Sequence, residues 1–146
     1  MAICKEVGDR FNEAILFGNL GNVHFDTGEI KTARWHYEAA IAIEQELGNR
    51  SYEGFYLNNP ANLHHEQGRM EQAHGRYLES LAIAREVGDR RNEGRVLGNL
   101  SYLFAQMGLI DEAQAHADAA LVAHCEGGNR RSVGSAGARQ RRRSAL

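Results

Sequence analysis

The chain has 146 residues, 42% hydrophobic and 25% charged, a balance ordinary for a soluble protein and with nothing membrane-like or fibrous in it. No apolar run approaches the roughly 18 residues of a spanning helix, and Met1 leads straight into repeat-like sequence rather than a signal segment, so the reading is cytoplasmic with no membrane partner. The formal charge of −2 hides a split: six of the 17 basic residues follow Glu126, leaving 11 basic against 19 acidic residues before it, a net of −8.

Residues 2–10, A-I-C-K-E-V-G-D-R, match residues 82–90, A-I-A-R-E-V-G-D-R, and are read as the end of a truncated preceding repeat over 1–10. Residues 13–50 then recur almost in register at 53–90 and 93–130, a period of 40. A repeat of that length implies stacked supersecondary units, here repeats over 11–50, 51–90 and 91–130. In each unit a first helix is predicted over about 10–27, 50–67 and 90–107, and a second over about 29–47, 69–87 and 109–126. Gly28, Gly68 and Gly108 stand where a left-handed residue would end the first helices, and Gly48, Gly88 and Gly128 where one would end the second. Asp9, Asn49, Asp89 and Asn129 follow as candidate N-caps, with Glu13, Glu53 and Glu93 in the first turn after them. Such short connections predict antiparallel neighbours.

Pro60 replaces the leucine of the other units (Leu20, Leu100), which predicts a kink or a frayed first half in that helix. Small residues recur where helices should approach closely: Ala33, Ala73 and Ala113, then Ala40, Ser80 and Ala120, with Gly21, Ala61 and Ser101 in the first helices. Phe17, Leu20, Val23, Ile30, Tyr37, Ile41 and their counterparts, among them Ile110 and Leu121, are the expected core. After residue 130 the amphipathic pattern gives way to an arginine-rich stretch, 131–146, read as a disordered tail. An array that stops in this way should leave apolar end faces exposed, favouring self-association or a larger protein of which this sequence is a window.

The order Leu20, Gly21, Phe25, Gly28, Ala33, Tyr37, Ala40 resembles the tetratricopeptide repeat, and the resemblance covers residues 11–130. That family's unit is about 34 residues, so this one is about six longer, the excess falling at the end of the second helix and its link. The longer form, with N-L-G-N in the first helix and L-G-N-R or V-G-D-R at the link, resembles the repeats of G-protein-signalling-modulator adaptors and, more distantly, kinesin light chains. What the resemblance implies is an all-α fold: an α-solenoid of stacked antiparallel helix pairs in a right-handed superhelix, whose first helices line a concave groove that takes up a peptide or protein segment. The protein would be a non-enzymatic scaffold needing no cofactor.

Within that frame the polar residues of the first helices are the candidate groove contacts: Asn19, Asn22 and Phe25, then Asn59, Asn62 and His65, then Asn99 and Tyr102. Asparagine is a poor helix former, so its recurrence needs another reason. An amide both donates and accepts, and in the resembling families this position bonds the backbone of a bound peptide; the alternative is that these amides bridge neighbouring first helices and set their stacking. Two further readings stand beside the scaffold: an oligomerisation or regulatory segment of a larger signalling protein, and a nucleic-acid accessory protein acting through the tail. The acidic body and the lack of interleaved aromatics in the tail argue against the last.

Seven histidines raise the question of a metal, but His64 and His65 are adjacent and point about 100° apart on a helix, and no H-E-x-x-H or C-x-x-C spacing occurs. His24 and His64 are repeat equivalents at a position where an aromatic usually packs. His116, His124 and Cys125 share one helix without a fourth ligand. Two cysteines, Cys4 and Cys125, exclude a disulfide framework, and neither they nor any serine has a base at motif spacing.

Overall fold

The computed structural model describes the backbone of residues 3–129 and the side chains of residues 8–126; the arginine-rich tail and any role it has lie outside the described residues. Six helices and, among the described residues, no strand make up the chain: α1 (Ile3–Asp26), α2 (Ile30–Leu47), α3 (Arg50–Glu66), α4 (Met70–Val87), α5 (Arg90–Gln106) and α6 (Ile110–Asn129). They fall into two compact units, Met1–Val87 with α1 to α4 and Gly88–Leu146 with α5 and α6. In the first unit α1 packs on α2, α2 on α3 and α3 on α4; in the second α5 packs on α6.

The reversals follow from glycine. Gly28, Gly48, Gly68, Gly88 and Gly108 all have positive φ, from 70° to 82°. At Gly48 the chain turns so that the Gly48 amide donates to the Gln45 carbonyl at 3.1 Å and the Asn49 amide to the Glu44 carbonyl at 2.9 Å. Two carbonyls that the end of a helix would leave bare are thereby satisfied, and a residue with a Cβ would be strained there. The sixth reversal, expected at Gly128, does not occur: α6 runs through it to Asn129. Nor does the chain break at Gly8, since α1 is one helix from Ile3 to Asp26. Carrying a glycine inside a helix costs only about 1 kcal/mol, and the cost of reversing at Gly48 is met by the packing of α3 back on α2. Of the expected N-caps, Asp89 accepts from the Asn92 amide at 3.1 Å, whereas Asn49 makes no side-chain cap bond.

Pro60 does not fray its helix. α3 is unbroken from Arg50 to Glu66, and the pyrrolidine ring is fully buried, so apolar burial offsets the missing amide donor. Nearby, the Asn58 side chain donates to the Phe55 carbonyl at 3.2 Å, within the stretch of backbone that the proline disturbs.

Close approach is set by the small residues. Ala33, Ala40, Ala61, Ala73 and Ser80 are wholly buried, and Ser80 Oγ donates to the Gly54 carbonyl at 2.6 Å, tying α4 to α3. Ser101 Oγ donates likewise to the Ala113 carbonyl at 2.7 Å between α5 and α6. In the first unit one core cluster joins Ala14, Ala40, Ile41, Ile43, Tyr56, Leu57 and Ile83, with Phe17 and Leu47 against it. A second joins Ala33, Tyr37 and Leu63, with Phe25 and Ile30 against it. The first helices also meet directly, through an edge-on contact of Phe11 with Tyr52 at 5.1 Å and through Gly18, which makes room for the Tyr56 ring. Leu20, Val23, Ile110 and Leu121, expected in the core, are instead exposed. Leu20 and Val23 lie on α1, Ile110 and Leu121 on α6, and within the first unit Pro60 and Leu63, forty residues after Leu20 and Val23, are buried.

Each pair is also pinned at one end by charge. Arg10 Nε donates to Glu46 at 3.1 Å and Arg50 Nε to Glu86 at 2.9 Å, while Arg90 bonds Glu126; each of these arginines holds the first-turn glutamate three residues on as well, Glu13, Glu53 and Glu93. The Arg50 guanidinium holds the Glu86 carboxyl below the ordinary glutamate value. Glu46, Glu86 and Glu126 are all solvent-exposed, so the contribution is to register more than to stability.

Candidate functional site

Residues three apart on a helix share a face, so Asn19, Asn22 and Phe25 form one stripe on α1 and Asn59, Asn62 and His65 the equivalent stripe on α3, in adjacent helices of one unit. Asn99 and Tyr102 form the corresponding stripe on α5 in the second unit.

The two asparagines of each stripe have different roles. Tyr37 donates its hydroxyl to Asn22 Oδ1 at 2.6 Å, and Tyr77 donates to Asn62 Oδ1. Both tyrosines are buried on the second helix of the same pair, and burial, with a smaller contribution from Asp26 at Tyr37 and Glu66 at Tyr77, pushes each phenol up to about 12. In both pairs the hydroxyl hydrogen goes to the amide oxygen, which turns that oxygen towards the second helix and leaves the Nδ2 hydrogens free of this bond. Asn22 and Asn62 therefore tie first helix to second helix within a pair; neither bonds the neighbouring first helix in the way the stacking alternative requires.

One turn earlier, Asn19 is exposed and Asn59 half-buried, and among the described residues neither side chain has an intramolecular hydrogen-bond partner; the same is true of half-buried Asn99. Their donors and acceptors are unspent. Phe25 is half-buried against Ala33, Tyr37 and Leu63 and so belongs to the core cluster as much as to the surface. His65 is half-buried. Tyr102 is exposed, and its hydroxyl accepts from Gln106 Nε2 at 3.0 Å along the same helix.

The third pair lacks the clamp. Where Asn22 and Asn62 stand in the first two repeats it has Tyr102, and where Tyr37 and Tyr77 stand it has Ala117. Both partners change together, which was a signal in the sequence that position 22 pairs with position 37. Composition and spacing gave each residue its own role and left that pairing unread. Glu44 was also missed: it is wholly buried, both carboxylate oxygens lack a hydrogen-bond partner, and burial raises its carboxyl above the ordinary value.

The histidines sit in packing contacts. His24 stacks on His36 at 5.0 Å with 21° between the rings, and its Nδ1 lies 3.2 Å from Glu29. His116 lies 4.8 Å from the Phe104 ring and bonds the Glu112 carbonyl through Nδ1 at 2.7 Å. His124 lies against Gly94. Among the described residues no group of three or more His, Cys, Asp or Glu is placed to hold a metal ion, and no described helix is long and apolar enough to cross a membrane.

Comparison with known proteins bears on this arrangement. A family model described as tetratricopeptide repeat matches residues 12–86 and 55–122. Among solved structures, the TPR domain of Arabidopsis FLU superposes with a TM-score of 0.70 at 17% identity, covering 77% of this chain and 95% of that one. BtubC (BKLC) from P. vanneervenii superposes with a TM-score of 0.67 at 24% identity, covering 75% of this chain and 45% of that one. At these identities the likeness shows the fold, an all-α helical-repeat solenoid. No curated protein matches the sequence significantly.

Proposed function

The chain belongs to the tetratricopeptide-repeat family, whose repeats generally mediate protein–protein interaction, and from that premise we propose that it holds an extended segment of a partner protein along the asparagine stripes of its first helices. The observation that supports this most is the unpartnered amide of Asn19 and of Asn59, at the same position of two adjacent helices, each beside an amide already pinned by a buried tyrosine. An extended peptide presents alternating N–H and C=O groups, and a row of amides can donate to one and accept from the other. Asn22 and Asn62, with their oxygens engaged, would offer donors to peptide carbonyls; Asn19 and Asn59 would offer either. Because the tyrosine bonds hold these side chains before a ligand arrives, little rotamer freedom is lost on binding. The protein in this reading is a scaffold with no chemistry of its own.

The test separates the two kinds of asparagine. Peptides selected on an array against the intact chain are titrated against Asn19→Ala/Asn59→Ala and against Asn22→Ala/Asn62→Ala. The first pair should weaken binding about tenfold or more, the scale of losing one to two hydrogen bonds, with the melting temperature unchanged. The second pair should lower the melting temperature, because it leaves buried tyrosine hydroxyls without acceptors. Peptide affinity indifferent to Asn19 and Asn59 would overturn the reading.

A further inference from the structure

Asp26 is the last residue of α1 and Glu66 the last of α3, at the same position of two adjacent helices in the first unit. Each stands one turn beyond the amide that a tyrosine pins, Asn22 or Asn62, and two turns beyond the unpartnered Asn19 or Asn59, and so shares a helix face with both. After burial, the charge of Asp26 helps push up the Tyr37 phenol and that of Glu66 the Tyr77 phenol, which places each carboxylate beside the hydroxyl of its clamp. Both carboxylates are exposed.

Helix stability does not favour them there. The C-terminal end of a helix carries partial negative charge, so a carboxylate in the last turn works against the dipole, and here the opposition occurs at both equivalent positions. Among the described residues neither side chain makes a hydrogen bond or an ion pair, and Lys31 and Arg69, the nearest lysine and arginine along the chain, are not paired with them. Other carboxylates of the unit are engaged: Arg10 holds Glu13 and Glu46, Arg50 holds Glu53 and Glu86, and Arg76 holds Glu38. In the second unit the corresponding residue is Gln106, which donates to Tyr102 of its own helix at 3.0 Å, so the unpaired carboxylate at this position belongs to the first unit alone.

Resting on the reading above, we propose that the segment held along the asparagine stripes is basic, with one lysine or arginine side chain seated at Asp26 and a second at Glu66. A cation at either place meets a carboxylate and the negative end of a helix together, whereas an acidic side chain would be repelled by both. Neighbouring helices lie about 8–10 Å apart and an extended chain rises about 3.3 Å per residue, so the two cationic residues should stand two to four positions apart. The charge up to Glu126, 11 − 19 = −8, draws the same class of segment from a distance.

An array of short random peptides, probed with the intact chain at physiological salt, should return sequences with two lysines or arginines at that spacing and few with aspartate or glutamate. The tightest of them should bind Asp26→Asn/Glu66→Gln about three- to tenfold more weakly, the loss of two exposed ion pairs. Glu71→Gln/Glu112→Gln removes the same charge from exposed residues off the stripe and should change affinity by less than about twofold. Asp26→Lys/Glu66→Lys should instead prefer the same peptide with glutamate in place of its two basic residues. The melting temperature of Asp26→Asn/Glu66→Gln should hold or rise, since charge opposed to the dipole is removed; a fall would make the carboxylates structural and overturn the proposal. So would an equal loss of affinity in the Glu71/Glu112 variant, which would assign the effect to net charge. Neutral or acidic peptides that still lose affinity on Asn19→Ala/Asn59→Ala overturn this proposal and leave the groove reading standing, whereas an array that returns no peptide, or only peptides indifferent to Asn19 and Asn59, removes the groove reading on which it rests.

Discussion

Two glycine-to-alanine substitutions in the same unit should move stability in opposite directions. Both glycines are helical, Gly21 in α1 and Gly75 in α4, and alanine is favoured over glycine in a helix by about 0.5–1 kcal/mol. At Gly75 an added Cβ meets nothing within 4 Å, so Gly75→Ala should gain that amount. At Gly21 the new Cβ would stand 2.5 Å from Cδ1 and 3.1 Å from Cζ of Tyr37. Ordinary carbon contacts lie at about 3.5–4.0 Å, so the ring would have to retreat by about 1 Å. Tyr37 is buried in the cluster with Ala33 and Leu63 and its hydroxyl is held by Asn22, so it has little room to do so. Overpacking of this kind costs about 1–3 kcal/mol, and after the helix gain Gly21→Ala should lose about 0.5–2 kcal/mol. The second pair limits the loss: Ala61 stands at the equivalent position, and Tyr77 still reaches Asn62 there. Urea titration followed by circular dichroism reads both variants, with the midpoints shifting in opposite directions at similar slope. If Gly21→Ala proves as stable as the unaltered chain while Gly75→Ala gains, close approach of Tyr37 to α1 does not set the spacing of the pair.

Two titrating groups give pH-dependent predictions of opposite sign. Burial raises the folded-state carboxyl of Glu44, so the folded chain binds more protons than the unfolded; stability is present below the ordinary glutamate value and declines as pH rises through the raised folded one. Glu44→Met should flatten that decline and stabilise the chain near neutrality by about 1–3 kcal/mol, the cost of a buried group left without partners; an unchanged or lower urea midpoint would show that the carboxylate is satisfied in solution. His64 is shifted down by burial, then by Arg34, Arg76 and Arg69, so its contribution is present above the ordinary histidine value of about 6.5 and is lost as pH falls through the folded one. The melting temperature should drop between roughly pH 7 and pH 5, and His64→Leu should remove part of that drop; identical profiles for the two proteins would refute the assignment.

How much of this was legible in the sequence depends on whether the cause was local. The helix reversals at Gly28, Gly48, Gly68, Gly88 and Gly108 were legible because a left-handed residue is a property of one position and its immediate neighbours, and the period of 40 repeats it. Gly8 and Gly128 carry the same local signal, yet helix runs through both, because a glycine permits a reversal without compelling one. Pro60 shows the converse: the fraying it argues for locally does not occur, and its ring is buried.

The amino-acid sequence by itself determined that the chain is made of helix pairs, where each pair turns, and which small residues lie at the close approaches, since periodicity and backbone preference act within a few residues. Only the tertiary structure decided that Asn22 and Asn62 are spent on Tyr37 and Tyr77 while Asn19 and Asn59 are not, that Glu44 is sealed away from any partner, and that Leu20 and Val23 face outward although Pro60 and Leu63 do not. Those outcomes turn on which surface lies opposite a residue. In a repeat, identical positions receive different neighbours according to their place in the stack.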